Sequence, residues 1–332
     1  MEIDIDFSSI HTFWRSTHST SNWLIEDIYT SLYSKFVHRL VAADTDGFAT
    51  IQGKPVIYVA NHQTAIESML FCMIVGGLTQ TPICSLAKME HQQSWLGQLI
   101  SHSSLYPGYH PHRSMVLFDR RKPRTFLKIL KQMSTILQKE QTSLLIHVDG
   151  TRAISCREAS TQMNRNVIKL AIEANVPIVP VRFTGGLPVE PLLERIDFPV
   201  GYGCQDYYIG TPILPEKLRL LSIEEQKKVI LQGINQLGIP NEKEVPYAPD
   251  QDFAKKVRGW MNETGVVESY AVLLHTLATY SDVGPESKAL IAGMEQRKLN
   301  YPANEVAQWL NQFAHWMYGN TNLDNNIQVN RG

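Results

Sequence analysis

Between residues 22 and 41 the chain reads NWLIEDIYTSLYSKFVHRLV, with Leu24, Ile28, Leu32, Phe36 and Leu40 recurring every four positions and Ile25, Tyr29, Tyr33 and Val37 beside them. A stripe this broad predicts one long helix packed on the protein's own core. The lesser alternative, a helix lying against a membrane, lacks the Lys/Arg-enriched polar face of interfacial helices.

From residue 55 the period changes. PVIYVA (55–60), PICSLA (82–87), MVLF (115–118), SLLIHV (143–148) and PIVPVRF (177–183) are short apolar runs rich in strand formers. Helical patterns separate them over 64–75, 94–102, 123–139 and 161–174, the first stopping at Gly76-Gly77. Strands alternating with helices of that length predict an α/β fold with a mixed, largely parallel sheet flanked by helices. Strand character ends after YYIGTPI (207–213), and 222–238 is a polar helix. The proline- and charge-rich PNEKEVPYAPDQD (240–252) reads as a linker. The organisation expected is an N-terminal helical segment (1–48), an α/β domain (49–240), a C-terminal helical region (250–318) and a disordered tail (319–332).

Composition narrows the class. Hydrophobic residues make up 43% and charged residues 19% of 332, which is the balance of a globular chain. With a net charge of −1, attraction to any polyanion must come from local patches. Nucleic acid is not expected as a partner. Cys72, Cys84, Cys156 and Cys204 lie far apart without metal-ligand spacing, which fits a reducing compartment. The acidic start MEIDIDFSSI lacks the order of a signal peptide, and the longest apolar run (69–78) is half a membrane span. A cytoplasmic protein is expected, with peripheral membrane association as an option.

The first chemically suggestive segment is Asn61-His62-Gln63-Thr64-Ala65-Ile66-Glu67, placed where a buried strand ends and a helix begins. Sites in α/β sheets collect at such strand ends. Residues five apart on a continuous helix diverge by about 140°. His62 can therefore meet Glu67 only from the turn before the helix, with Thr64 as a competent N-cap. An isolated HxxxxE is more often a structural histidine. Three further segments add weight. Phe118-Asp119-Arg120 is followed by Arg121, Lys122 and Arg124, a cluster able to clamp a phosphate. Asp149-Gly150-Thr151-Arg152 follows the SLLIHV strand with a turn glycine, a hydroxyl and a cation. Val176-Pro177-Ile178-Val179-Pro180-Val181 is suited to line an apolar pocket.

The order HxxxxE, FDR, DGTR, VPIVPV resembles the four blocks of the PlsC-like glycerolipid acyltransferases, whose usual forms are NHxxxxD, a block ending in Arg, FPEGTRS and a proline-flanked strand. Lys88 and Trp95-Leu96-Gly97 between the first two blocks are also similar, and the likeness covers about residues 50–215. NHQT followed by an acid further resembles the soluble chloroplast-type glycerol-3-phosphate acyltransferases. The resemblance implies His62 as general base, oriented by Glu67. It implies Lys88, Arg120, Asp149, Gly150, Thr151 and Arg152 as binding residues for a phosphate-bearing acceptor, and Pro180 in the pocket wall. It implies an acyl thioester donor, on coenzyme A or an acyl carrier protein, with no cofactor and no metal. Two departures stand out. Glu67 replaces the family's Asp, and Val148-Asp149 replaces its Pro-Glu. A methylene moves a carboxylate by roughly 1 Å, which can cost ~10²-fold in rate unless the backbone compensates.

The chemistry implied is direct transfer: His62 takes the hydroxyl proton as oxygen attacks the thioester carbonyl, worth ~10²–10⁴-fold. Backbone N–H groups at the start of the 64–75 helix are candidate oxyanion donors. No GxSxG elbow is present. His110-Pro111-His112 invites a metal, but without neighbouring Cys or paired carboxylates it reads as surface structure. Gly201-Tyr202-Gly203 lacks the third glycine of a dinucleotide loop. The rivals are an acyltransferase for a non-glycerolipid hydroxyl or amine, and a non-catalytic homologue that binds lipid or a partner.

Overall fold

A computed structural model describes residues 1–110, 112–119, 121, 126–296 and 304–318. In chain order its first elements are α1 (Phe7–His18), α2 (Trp23–Phe36), β1 (Val37–Ala42), α3 (Thr45–Thr50), β2 (Ile57–Ala60), α4 (Ile66–Leu78), β3 (Ile83–Lys88), α5 (Trp95–Ser103), β4 (Met115–Phe118) and α6 (Phe126–Gln138). There follow β5 (Ser143–His147), α7 (Arg165–Ala174), β6 (Ile178–Thr184), β7 (Gln205–Ile209), α8 (Pro215–Arg219), α9 (Ile223–Asn235), α10 (Gln251–Thr264), α11 (Glu268–Thr279), α12 (Pro285–Gln296) and α13 (Ala307–Tyr318). The tail expected to be disordered lies outside the described residues.

The helix expected over 22–41 ends at Phe36, and its last quarter is strand β1. Four-residue spacing cannot reveal this, because β1 is buried on the period of a strand only once it pairs in parallel with β7. Gly76-Gly77 does not stop α4 either. A Cβ at Gly77 would lie 2.7 Å from Ile10 Cγ2, so this glycine serves the close approach of α1 to α4.

The chain forms two compact units: Met1–Phe13 with Phe36–Glu90 and Arg113–Pro249, and Trp14–Lys35 with His91–His112 and Asp250–Gly332. The first holds a seven-stranded sheet of order β1-β7-β6-β2-β5-β3-β4. Its strand pairs are parallel except β6–β7. Alternation along the strands makes two faces. Ile57, Val59, Leu144, Ile146 and Ile178 meet Ile136, Ile168, Ile230 and Ile234 of α6, α7 and α9. On the opposite face Tyr58 and Phe183 meet Phe71 of α4 edge-on, with ring centroids at 5.1 and 5.7 Å. The carboxyl ends of β2, β5 and β6 come together beneath the start of α4.

The second unit is helical and draws α2 and α5 together with α10–α13. Its core of Leu273, Leu274, Leu277, Leu290 and Phe313 is pinned by polar anchors. Asp27 accepts from Gly284 N at 2.7 Å and from the Ser287 hydroxyl, while Glu286 accepts from the Tyr106 hydroxyl at 2.6 Å. Among the described residues, no helix is long and apolar enough to cross a membrane.

Candidate active site

β2 ends at Ala60, and the Asn61 side chain then mimics a strand partner. Its amide donates to Phe183 O and its oxygen accepts from Phe183 N, both at 2.8 Å. Clamped to β6 in this way, the chain turns at His62 before α4 begins at Ile66. His62 is thereby outside the helical frame, and its Nδ1 meets Glu67 Oε1 at 2.7 Å. A carboxylate only accepts, so Nδ1 carries the proton and Nε2 carries the basic lone pair.

Glu67 is 0% exposed. Its Oε1 also accepts from Gln63 N at 2.8 Å, and its Oε2 from Thr64 N at 3.1 Å and Gln205 Nε2 at 3.0 Å. Burial pushes the Glu67 carboxyl up to about 7, against the opposing pull of His147 and of the hydrogen bonds from Gln205, Thr64 and Gln63. Thr64 is not the N-cap. That position falls to Ala65, which makes no side-chain cap, because Glu67 itself takes up the loop N–H groups and Thr64 Oγ1 turns to Gln205. The N–H groups suggested as oxyanion donors are engaged at three positions: Gln63 and Thr64 on Glu67, and Ile66 on Asp197 O.

Two further side chains complete the centre. The His147 ring stacks on His62 with centroids 3.7 Å apart and planes 16° apart. His147 Nδ1 lies 2.6 Å from Asn61 O, and Nε2 lies 2.8 Å from Ser68 Oγ. Burial, then the neighbouring His62, depresses its pKa to about 3. Sequence reasoning passed over His147 as part of an apolar run. Period-two alternation was the available signal, since Ile146 packs on α6–α7 and the next residue must turn to the α4 face. Among the described residues, His62, Glu67 and His147 are the group close enough to share a cation. Their two imidazole planes run nearly parallel, so the nitrogen lone pairs do not converge on one ion.

A second polar layer lies beneath. Gln63 donates to Glu244 Oε1 at 2.9 Å and accepts from Gly186 N at 3.0 Å. Glu244 also binds Arg182 Nη2 at 2.7 Å and Gly185 N at 2.9 Å, with both charged side chains 2% exposed. Arg182 donates besides to Asn235 O and Leu237 O. Residues 240–252 therefore do not form a free linker throughout: Glu244 is a buried anchor, which a proline- and charge-rich composition conceals.

The expected binding residues divide. Ala153 N donates to His62 O at 2.7 Å, which sets the Asp-Gly-Thr-Arg loop alongside His62. Gly150 makes the turn with φ +63° and Thr151 is exposed. Arg152 pairs with Asp197, whose carbonyl receives Ile66 N of α4. Asp149 turns away, accepting from Ser160 Oγ at 2.6 Å and Thr161 N at 3.2 Å. Lys88 stands at the end of β3, 3.8 Å from Glu90. Pro180 belongs to the helix-packed face of β6, where a Cβ on Gly233 of α9 would meet its ring at 2.9 Å. Arg120, Lys122 and Arg124 lie outside the described residues. Arg121 is exposed and pairs with Asp119 at 3.2 Å.

The structure thus sets a histidine–carboxylate pair at the carboxyl edge of a mostly parallel sheet, beside an Asp-Gly-Thr-Arg turn. Residues 42–184 match the family model described as Acyltransferase. A probable 1-acyl-sn-glycerol-3-phosphate acyltransferase of Mycoplasma genitalium is 26% identical over 138 residues, 41% of this chain and 47% of that protein. A 1-acyl-sn-glycerol-3-phosphate acyltransferase of Chlamydomonas reinhardtii is 29% identical over 170 residues, 48% of this chain and 46% of that one. The enzyme of that name from Limnanthes douglasii is 24% identical over 132 residues, 40% and 42% of the two chains. The chain spans about half the length of the curated relatives it matches.

Proposed function

We propose that this protein transfers a fatty acyl group from a thioester, on coenzyme A or an acyl carrier protein, to a hydroxyl of a glycerol-phosphate or lysophospholipid acceptor. The observation that carries this reading is the 2.7 Å contact of His62 Nδ1 with the fully buried Glu67. In that state Nε2 is the basic nitrogen, and it removes the acceptor's proton as the oxygen attacks the carbonyl. The carbon–sulfur bond then breaks, and the imidazolium returns its proton to the departing thiolate. Glu67 holds the tautomer and offsets the charge of the imidazolium.

The names of the relatives favour a phosphate-bearing acceptor. Arg152 beside His62 fits that role, exchanging Asp197 for a phosphate, and exposed Thr151 can add a hydroxyl. Lys88 and Arg120 are further acceptor-binding residues on this reading and Gly150 shapes the turn, whereas Asp149 acts through its bonds to Ser160 and Thr161 and Pro180 through its packing on α9. The working location is cytoplasmic with peripheral contact to a membrane that supplies or receives lipid.

Release of thiol from an acyl thioester in the presence of glycerol-3-phosphate or lysophosphatidate tests this, comparing wild type with His62→Ala. Loss of the general base should lower kcat by ~10²–10⁴-fold. Equal rates for the two proteins would defeat the catalytic reading in favour of a binding homologue. Turnover only with acceptors that lack phosphate would move the reading to a different acyltransferase.

A further inference from the structure

Glu67 holds His62 at Nδ1, a single point on the ring. The lone pair of Nε2 lies in the ring plane, so the plane decides where the base points. A displacement of about 1 Å is enough to cost on the order of 10²-fold in rate. His147 lies flat against the His62 ring at 3.7 Å and so bears directly on that plane.

His147 is itself held at both nitrogens. Asn61 O can only accept, so His147 Nδ1 is its N–H, at 2.6 Å. Nε2 then carries a lone pair and accepts the Ser68 hydroxyl proton at 2.8 Å. Asn61 is in turn clamped to Phe183 by two hydrogen bonds, and Ser68 rides on the first turn of α4 one residue after Glu67. Both supports of the stacked ring are thus built into the frame that places the base and its carboxylate.

We propose that His147, fixed by Asn61 and Ser68, is a positioning residue that sets the ring plane of His62 and stays neutral while His62 takes the acceptor's proton. The proposal rests on the general-base reading of His62. Protonating His147 would oblige Ser68 to reverse its hydrogen bond and would set a second cation against the imidazolium forming on His62. The titratable groups facing His147 are His62, from the loop after β2, and Glu67, from α4. Phe183 of β6 adds an uncharged ring at 6.1 Å, and the Asp149 carboxylate, two residues on in the turn after β5, is directed to Ser160. A neutral ring offers its π face to the developing cation, as a charged one would not. The resembled family's third block, FPEGTRS, has Phe at this position, so the flat ring is the shared feature and the double anchorage belongs to this chain.

Kinetics of thiol release and imidazole nuclear magnetic resonance on the full chain test this together. His147→Leu removes the ring and should lower kcat by about 10- to 100-fold with the acceptor KM almost unchanged. His147→Phe restores the ring and should recover most of that loss. Ser68→Ala frees His147 and should shift the acid limb of the pH profile, which a purely structural defect would not move. In the wild type, long-range 1H–15N spectra should show His147 as the neutral Nδ1–H tautomer throughout pH 5 to 8, the range of an ordinary histidine. A His147 that titrates in that range overturns the proposal, even where a variant fails to fold. So does wild-type kcat in both His147→Leu and Ser68→Ala when His62→Ala is inactive, an outcome that leaves the base reading intact. Full activity in His62→Ala would instead remove that reading and this one with it.

Discussion

Gln205 Nε2 donates to Glu67 Oε2 at 3.0 Å across 138 residues of sequence, while Gln205 Oε1 accepts from Thr64 Oγ1 at 3.1 Å. The first residue of β7 thus holds the orienting carboxylate and the loop before α4 at once. Gln205 is itself fully buried, so its amide has no exchange with water to fall back on.

Gln205→Leu should therefore act on stability and on rate together. It leaves Thr64 Oγ1 with only the long contact to Glu67 Oε2 at 3.5 Å and removes one donor from Glu67, a loss of about 1–3 kcal/mol. Urea unfolding measures the first effect. The second should appear as a lower kcat with the donor KM unchanged.

The raised pKa of Glu67 makes stability and activity run in opposite directions with pH. Burial favours the proton on the folded-state carboxyl, so the stability it contributes is complete below 4.5 and is lost as pH climbs through about 7. On the general-base reading proposed for His62, activity needs the ionised carboxylate on Nδ1–H and should rise over the same interval, with an apparent value that belongs to the pair. Glu67→Gln should flatten the stability slope, which is at most about 1.4 kcal/mol per pH unit for one group, and should cost ~10²-fold or more in kcat. Urea midpoints and thiol-release rates at pH 5.5, 7 and 8.5 check both signs.

Glu244→Ala leaves Arg182 buried with only carbonyl partners and deprives Gln63 Nε2 and Gly185 N of an acceptor. Removing one partner of a buried pair costs about 3–5 kcal/mol. Thermal unfolding should show a large loss for Glu244→Ala and a smaller one for Glu244→Gln, which keeps an acceptor oxygen.

Arg152→Ala should raise the KM for a phosphate-bearing acceptor by at least about tenfold, the scale of one charge-assisted contact. The KM of the thioester should not change. Equal effects on both substrates would assign Arg152 to the stability of the 185–200 loop through Asp197 instead of to the acceptor.

Glu67 stands where the resembled family has an aspartate, one methylene shorter. The longer side chain is gripped by several groups: two backbone N–H groups, Gln205 and His62 all reach its two oxygens. Asp149 in place of the third-block glutamate has a different outcome, because its carboxylate closes a local loop on Ser160 and Thr161. Residues of the same charge, substituted in two motifs of one chain, meet different surroundings.

What the chain alone determined are the features set by neighbours in sequence. The alternation of short apolar strands with helices dictates an α/β layer, and a strand end followed by Asn-His-Gln-Thr permits His62 to lie in the turn before the helix, within reach of Glu67. Only the tertiary structure decided that Val37–Ala42 is a strand, that Glu244 is an anchor, and that His147 and Gln205 close around the base. Each depends on a partner far along the chain. A strand at a sheet edge exists only once β7 pairs with it, and a buried polar group is tolerated only where distant donors and acceptors converge on it.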